Sequence, residues 1–512
     1  MLVIIDSVAF VGLDVVKVHV EVNVSTRGLP SFDIVGLPDK SVGESKHRIK
    51  AAFQNSKLDF PNKRITVNLA PADIHKEGSF YDFPIAAGIL CACKGLQPPD
   101  NSLFFGELSL NGSLNSTRGA FLLSLFAKEN NISCIFLPSK NCQEACSVAD
   151  VRIFGIDSIN ALASHLEGRF KVEPYIKNQI SVNIQNSVQN QPTDFKDILG
   201  QEFAKRALQI CATGGHNILL CGPPGAGKSL LANALMSIMP PLSADESVEV
   251  TKIYSLLGST AKSNYLITDR PFRNPHHTTS YGGMLGGGNR LLPGEITLAH
   301  RGILFLDELL EFNKNVLEAL RTPLETGNIT LIRCRGSITF PASFVLVAAC
   351  NPCPCGFYGA FNKKCVCSLS QVQNYQRRLS GPLLDRIDLY VNVKPVEQQR
   401  LLEFANNNEK NSDCYKQQVM SARNVQEKRF QDLSFKTNSQ MKGKDVAQWC
   451  KLSNSVQGLM KMAVMHFGLS ARGYFKVIKV ARTIADLDCK DAILEEHVAE
   501  ALQYRIKTLE LK

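Results

Sequence analysis

Between Val16 and Ser25 the chain reads V-K-V-H-V-E-V-N-V-S, apolar and polar in strict alternation, which predicts a strand with one buried face. The opening run, MLVIIDSVAFVGLDVV, lacks a basic leader and carries Asp6 and Asp14, so it reads as another strand and not as a secretion signal. SVGESKHRIKAAFQNS, from Ser41, has helical spacing. RITVNLAP, from Arg64, is a further strand, and DFPIAAGILCAC, from Asp82, an apolar helix. From Asn178 to Gln191 at least half the positions are Asn or Gln, which marks a linker. A second pattern begins at Asp194. A third, helical one begins near Val419, after the polar stretch ANNNEKNSDCYKQQ. The expected organisation is an α/β domain over 1–172, a polar linker over 173–193, a parallel α/β core over 194–400 and a helical domain over 419–512. No internal repeat is visible.

Composition narrows this picture. The 512 residues provide ample core, and 44% hydrophobic with 20% charged residues is an ordinary globular balance. No apolar run approaches the roughly 18 residues that cross a bilayer, so no membrane association is expected. A cytoplasmic location is expected, where 16 cysteines serve as thiols or metal ligands and not as disulfides. The net charge of +10 is compatible with nucleic acid without requiring it.

The strongest chemical signal is NILLCGPPGAGKSLLANAL. A short apolar strand, Ile218 to Leu220, runs into Gly222-Pro223-Pro224-Gly225-Ala226-Gly227-Lys228-Ser229 and then a helix. Glycines let backbone N–H groups curl around phosphates, and the helix N-terminus adds partial positive charge. Lys228 reaches the β and γ phosphates of ATP and Ser229 holds Mg²⁺. GILFLDELLEF supplies the second half. Its apolar strand, Ile303 to Leu306, ends in Asp307, a second Mg²⁺ ligand through water, and Glu308, which polarises the attacking water. A third strand, FVLVAAC, delivers Asn351 to the same edge as a γ-phosphate sensor.

Taken in order, DILGQEFAKRAL, GGHNILLCGPPGAGKS, RPFRNPHH, PGEITLAHRGILFLDELLEF, NPCPCG, SGPLLDRIDL and LSARGYFKVIKVARTIADL resemble the ComM/YifB family of magnesium-chelatase-like AAA+ ATPases. The resemblance covers nearly the whole chain. It implies a homo-hexameric ring motor, a DNA helicase that promotes branch migration during natural transformation. It also implies further roles. Ile198, Leu199 and Gly200 match the adenine contacts, Asn351 the first sensor, Arg386 the arginine finger that reaches a neighbouring subunit, and Arg472 the second sensor. The C-terminal helices correspond to the lid. NLAPADIHKEGSFYDFPIAAGIL resembles part of a Lon-protease-like domain, but Phe80 stands where the serine nucleophile is expected, Ser79 is one place early, and no lysine follows until Lys94. A serine without a positioned base is a weak nucleophile, so the first domain reads as a non-proteolytic binding or assembly module.

Two segments read as loops aimed at a polymer. NITLIRCRGSITFPAS forms a hairpin pattern whose tip carries Arg333 and Arg335, and the glycine-rich TSYGGMLGGGNRLLPGE carries Arg290. In a ring, such arginines contact phosphates of single-stranded or branched DNA without reading sequence. His276 and His277 lack a third ligand at useful spacing and read as structural or interface residues. Two other functions share the P-loop: a metal-insertion ATPase subunit of the magnesium-chelatase type, and a protein remodeller.

Finally, NPCPCGFYGAFNKKCVC places Cys353, Cys355, Cys365 and Cys367 as two C-x-C pairs in an insertion over 353–367. Four thiolates so spaced can close around one structural Zn²⁺. Free thiols and an iron–sulfur cluster are the alternatives.

Overall fold

A computed structural model describes residues 1–148, 151–176, 193–258, 266–288, 291–333, 336–359, 363–395 and 411–505, with the backbone alone at Arg333. The chain divides into two compact units, one formed by 1–185 with 244–267 and the other by 186–243 with 268–512. The Asn/Gln-rich stretch lies outside the described residues.

In the first unit seven strands form one mixed sheet. Their order is Ser31–Val35, Arg64–Ala70, Asp14–Ser25, Leu2–Val11, Ser102–Phe104, Cys134–Pro138 and Arg152–Ile156. Alternation along Asp14–Ser25 sends Val18, Val20, Val22 and Val24 inward. The helix Asp82–Lys94 packs on these strands so closely that a Cβ at Gly88 would lie 2.5 Å from Val22 Cγ2. Its buried Asp82 accepts hydrogen bonds from Arg48 Nε at 2.6 Å and Nη2 at 3.0 Å, and from Ser45. The helix Ala244–Leu257 belongs to this unit although it follows the P-loop in sequence. Ser255 Oγ donates to Glu144 at 2.6 Å, and Gly119 N donates to Ser255 O at 3.1 Å.

The second unit is built on a five-stranded parallel sheet. Its order is Phe272–Arg273, Ile303–Leu306, Val345–Cys350, Ile218–Cys221 and Leu389–Asn392. The three central strands are buried along their whole length, as expected of a parallel sheet covered on both faces. The hairpin has the expected register: Asn328–Arg333 pairs with Gly336–Pro341, Ile329 opposite Phe340 and Leu331 opposite Ile338.

Helices Ser412–Arg429, Gly443–Trp449, Asn454–Phe467, Ala471–Leu487 and Glu495–Gln503 complete the unit. The first of them starts at Ser412, seven residues ahead of Val419 and inside the stretch read as polar spacer. Asn411 caps it by accepting from Cys414 N, and Ser412 is held by Phe195 N and Ser237 Oγ, both at 2.8 Å. Buried Asp486 binds Arg429 Nη2 at 2.6 Å, Arg482 Nε at 3.0 Å and Asn438 Nδ2 at 2.8 Å, joining three helical segments. Among the described residues no helix is long and apolar enough to cross a membrane.

Candidate active site

Parallel strands deliver their following residues to one edge of a sheet, and here that edge collects the chemistry. Cys221 lies level with Cys350, so Gly222 and Asn351 leave the sheet side by side, with Gly222 N donating to Cys350 O at 3.2 Å. Gly222 admits no side chain, because a Cβ there would lie 2.2 Å from Val393 O. Gly225 and Gly227 have φ of +78° and +89°, left-handed values that favour glycine, and among the described residues nothing lies within 4 Å of their Cβ positions. The loop thus presents bare backbone at the start of the Lys228–Ile238 helix.

Lys228 Nζ donates to Gly222 O at 2.8 Å, Pro223 O at 2.9 Å and Asn351 Oδ1 at 3.1 Å. Burial holds its ammonium below the usual lysine range, against the pull of Cys221, Cys350, Asp307 and Glu308. Ser229 Oγ donates to Asp307 Oδ2 at 2.8 Å, which pairs a hydroxyl from the first turn of the P-loop helix with a carboxylate oxygen just past the strand Ile303–Leu306. That is an oxygen donor set suited to Mg²⁺, which favours hard ligands and keeps several waters. Glu308 follows in a left-handed conformation, φ 51°, which costs a non-glycine residue on the order of 1 kcal/mol. Ile198, Leu199 and Gly200 follow the turn Phe195–Asp197, which packs against the P-loop helix.

The structure brings together Lys228, Ser229, Asp307, Glu308 and Asn351. It does not bring Arg386 or Arg472 to them. Asn217, the residue before the Ile218–Cys221 strand, donates from Nδ2 to Arg386 O at 2.9 Å, so Arg386 sits at the opposite edge of the sheet. Four residues of strand separate the two edges, about 13 Å at 3.3 Å per residue. Arg386 Nη2 pairs with Glu325 Oε1 at 2.5 Å, and Arg472 Nη2 lies 3.4 Å from the same oxygen. Glu325 carried no signal in the sequence reading. Nor did the approach of His277 Nδ1 to Glu308 Oε2, at 3.5 Å. Of the arginines expected to meet DNA, Arg290 and Arg335 lie outside the described residues, and Arg333 ends its strand opposite Gly336.

The four cysteines converge. Their sulfurs all lie within 4.8 Å of one another. Cys353 to Cys355 is 3.3 Å, Cys355 to Cys365 is 3.5 Å and Cys353 to Cys365 is 3.7 Å. Zn–S bonds of about 2.3 Å in a tetrahedron imply S–S edges of about 3.8 Å, so the set fits Zn²⁺. Backbone N–H groups of Phe357 and Val366 hold the Cys355 thiol down at about 6, while, against the N–H groups of Cys367 and Cys355 respectively, burial and the neighbouring sulfurs push Cys365 up to about 12 and Cys367 upward as well. The insertion also touches the phosphate loop: a Cβ at Gly356 would lie 2.5 Å from Pro224 Cδ.

Comparison with known proteins gives the family. Residues 194–401 match the family described as magnesium chelatase, subunit ChlI, residues 20–141 match subunit ChlI of Mg-chelatase, and residues 409–505 match the ChlI C-terminal family. The chain is 39% identical over 508 residues to "Uncharacterized protein YifB" of Salmonella typhimurium, covering 98% of this chain and 97% of that protein. It is 39% identical over 507 residues to "Competence protein ComM" of Haemophilus influenzae, again covering 98% and 97%. A shorter likeness, 28% over 158 residues, joins it to "Lon protease 2" of Bacillus subtilis, covering 30% of this chain and 29% of that protein. With 39% identity to such relatives over 98% of the chain and the magnesium-chelatase family models matching 194–401 and 409–505, the chain belongs to the ComM/YifB family of magnesium-chelatase-like AAA+ proteins.

Proposed function

We propose that the protein is an ATP-driven ring motor acting on DNA, a helicase or branch-migration translocase in the recombination of incoming DNA. The observation that carries this reading is the segregation of charge across one sheet. Lys228, Ser229, Asp307, Glu308 and Asn351 occupy one edge, while Arg386 and Arg472 meet on Glu325 at the other. A nucleotide held at the first edge needs cationic groups to stabilise the transferring phosphoryl group, and a second copy in a homo-hexamer supplies them from its opposite edge. In the reaction a water oxygen bonds the γ-phosphorus, its proton passes to Glu308, and the bond to the bridging oxygen breaks to release ADP. Ser229 and Asp307 would hold Mg²⁺, which neutralises phosphate charge when bound.

DNA as the polymer is supported by the +10 net charge, by the hairpin ending in Arg333 with exposed Ile332 beside it, and by the competence-protein name of the Haemophilus influenzae relative. We assign Zn²⁺ to the four cysteines as a structural ion that folds the insertion. In the first unit, Ser79 donates its hydroxyl to Glu107 and Phe80 packs edge-on against Phe10 and tilted against Phe105 and Tyr81, which supports a binding module over a peptidase. The deciding experiment measures ATP turnover with and without branched DNA, alongside a four-strand displacement assay. Stimulation and strand movement are expected, and absence of both would sink the DNA-motor reading. Mixed rings of Arg386→Ala and Glu308→Gln subunits test the shared site: activity should follow the statistics of wild-type edges meeting each other.

A further inference from the structure

We infer that His277 is the positioning residue for Glu308, fixing the carboxylate that takes the proton from the attacking water. This rests on the reading of Glu308 as the water-activating group. A glutamate side chain has three rotors, and the Glu308 side chain is 54% exposed, so an unheld carboxylate would sample many orientations. A base aligned by a second group is a recurring arrangement in hydrolytic sites.

The pairing follows from sheet register. Arg273 lies level with Leu304 in adjacent parallel strands, and His277 and Glu308 each stand four residues further along. Both therefore follow neighbouring parallel strands at the same edge of the sheet. His277 Nδ1 approaches Glu308 Oε2 to 3.5 Å, an ion-pair distance for the protonated imidazole. The imidazole is itself held on two sides. Its ring lies 4.1 Å, centroid to centroid, from that of His276, and it meets the buried Phe312 edge-on at 6.5 Å and 79°. His276 is fixed in turn by Nδ1 against Thr278 Oγ1 at 2.8 Å. The adjacent histidines thus have distinct work: His276 anchors the segment and His277 faces the carboxylate. No other ion pair to the Glu308 side chain is seen among the described residues.

The test compares three substitutions at 277. His277→Ala removes the donor and should lower kcat for ATP roughly 10- to 100-fold, the usual cost of losing a group that orients a catalytic one, with KM and nucleotide Kd unchanged. His277→Asn places an amide nitrogen where Nδ1 stands and should restore most of kcat. His277→Gln places its amide nearer the Nε2 position and should not. The inference is overturned if His277→Ala keeps wild-type kcat, if Asn and Ala are equally impaired, or if nucleotide Kd weakens in step with kcat, since that pattern means a merely structural role. Thermal unfolding of the Asn variant guards against a folding defect. Glu308→Gln is run in parallel. If it still turns ATP over, the assignment of Glu308 fails and the inference with it. If it is inactive while His277→Ala is normal, only the role of His277 fails.

Discussion

The contact between the cysteine insertion and the phosphate loop makes a sharp prediction at Gly356. Its φ is +83°, and a Cβ there would lie 2.5 Å from Pro224 Cδ and 2.7 Å from Cγ. Gly356→Ala therefore incurs two costs. A left-handed alanine costs roughly 1–2 kcal/mol. The clash adds about 1–3 kcal/mol, as overpacking does, since carbon atoms settle about 3.5–4.0 Å apart. Gly359→Ala separates the two: its φ is +75°, but among the described residues nothing lies within 4 Å of its Cβ position, so there it carries only the backbone cost. Relief of the clash pushes Pro224 and re-aims the N–H groups that follow it. If the loop must recover its geometry to bind phosphate, that 1–3 kcal/mol weakens nucleotide Kd roughly 5- to 150-fold. Titration with a fluorescent ATP analogue should show this for Gly356→Ala and near-wild-type Kd for Gly359→Ala. Equal affinities in the two variants would refute the idea that the insertion braces the phosphate loop.

Purified protein should carry one zinc per chain. Cys365→Ser should lose it and lower Tm, and elemental analysis showing neither zinc nor a change on substitution removes the metal assignment. Asp388 ties the helix Ala471–Leu487 to the sheet through Lys476 at 3.4 Å and His216 at 3.4 Å, all largely buried. Asp388→Ala strands the Lys476 charge and should cost about 3–5 kcal/mol in urea unfolding. Against the burial that would raise it, Lys476 and His216 hold the Asp388 carboxyl far below the usual aspartate range. Its contribution is therefore present above the unfolded-state value of about 3.9 and is lost as pH falls below it, so Asp388→Asn should flatten the acid limb of the stability profile. Ser79→Ala should leave peptide cleavage unchanged, because Phe80, and not Ser79, stands where the nucleophile is expected. A difference between the two proteins would contradict the non-proteolytic reading.

Much of the site was legible because its pieces are contiguous. Strand, glycine loop, lysine and helix follow one another within 218–238, and local backbone preferences suffice to shape them. The same holds for the apolar strand that ends in Asp307 and Glu308, and for four cysteines in 15 residues. Alternation likewise placed the strands of the first unit and the hairpin pairs Ile329–Phe340 and Leu331–Ile338. Composition misled at Ser412, where a polar stretch hides a capped helix whose buried positions are small or polar: Ser412, Ala422 and Gln426 beside a single Val419.

What the chain by itself determined was therefore the set of reactive groups and their local scaffolds. What tertiary structure decided was which groups meet. An apolar helix face states that something must cover it but not what, so the assignment of Ala244–Leu257 to the first unit had to come from packing. Glu325 meets Arg386 and Arg472 across 61 and 147 positions of sequence, and His277 meets Glu308 from the end of a neighbouring parallel strand. Side-chain charge and spacing are local properties, but register between strands and the closing of helices over a sheet follow from burying all the apolar faces at once.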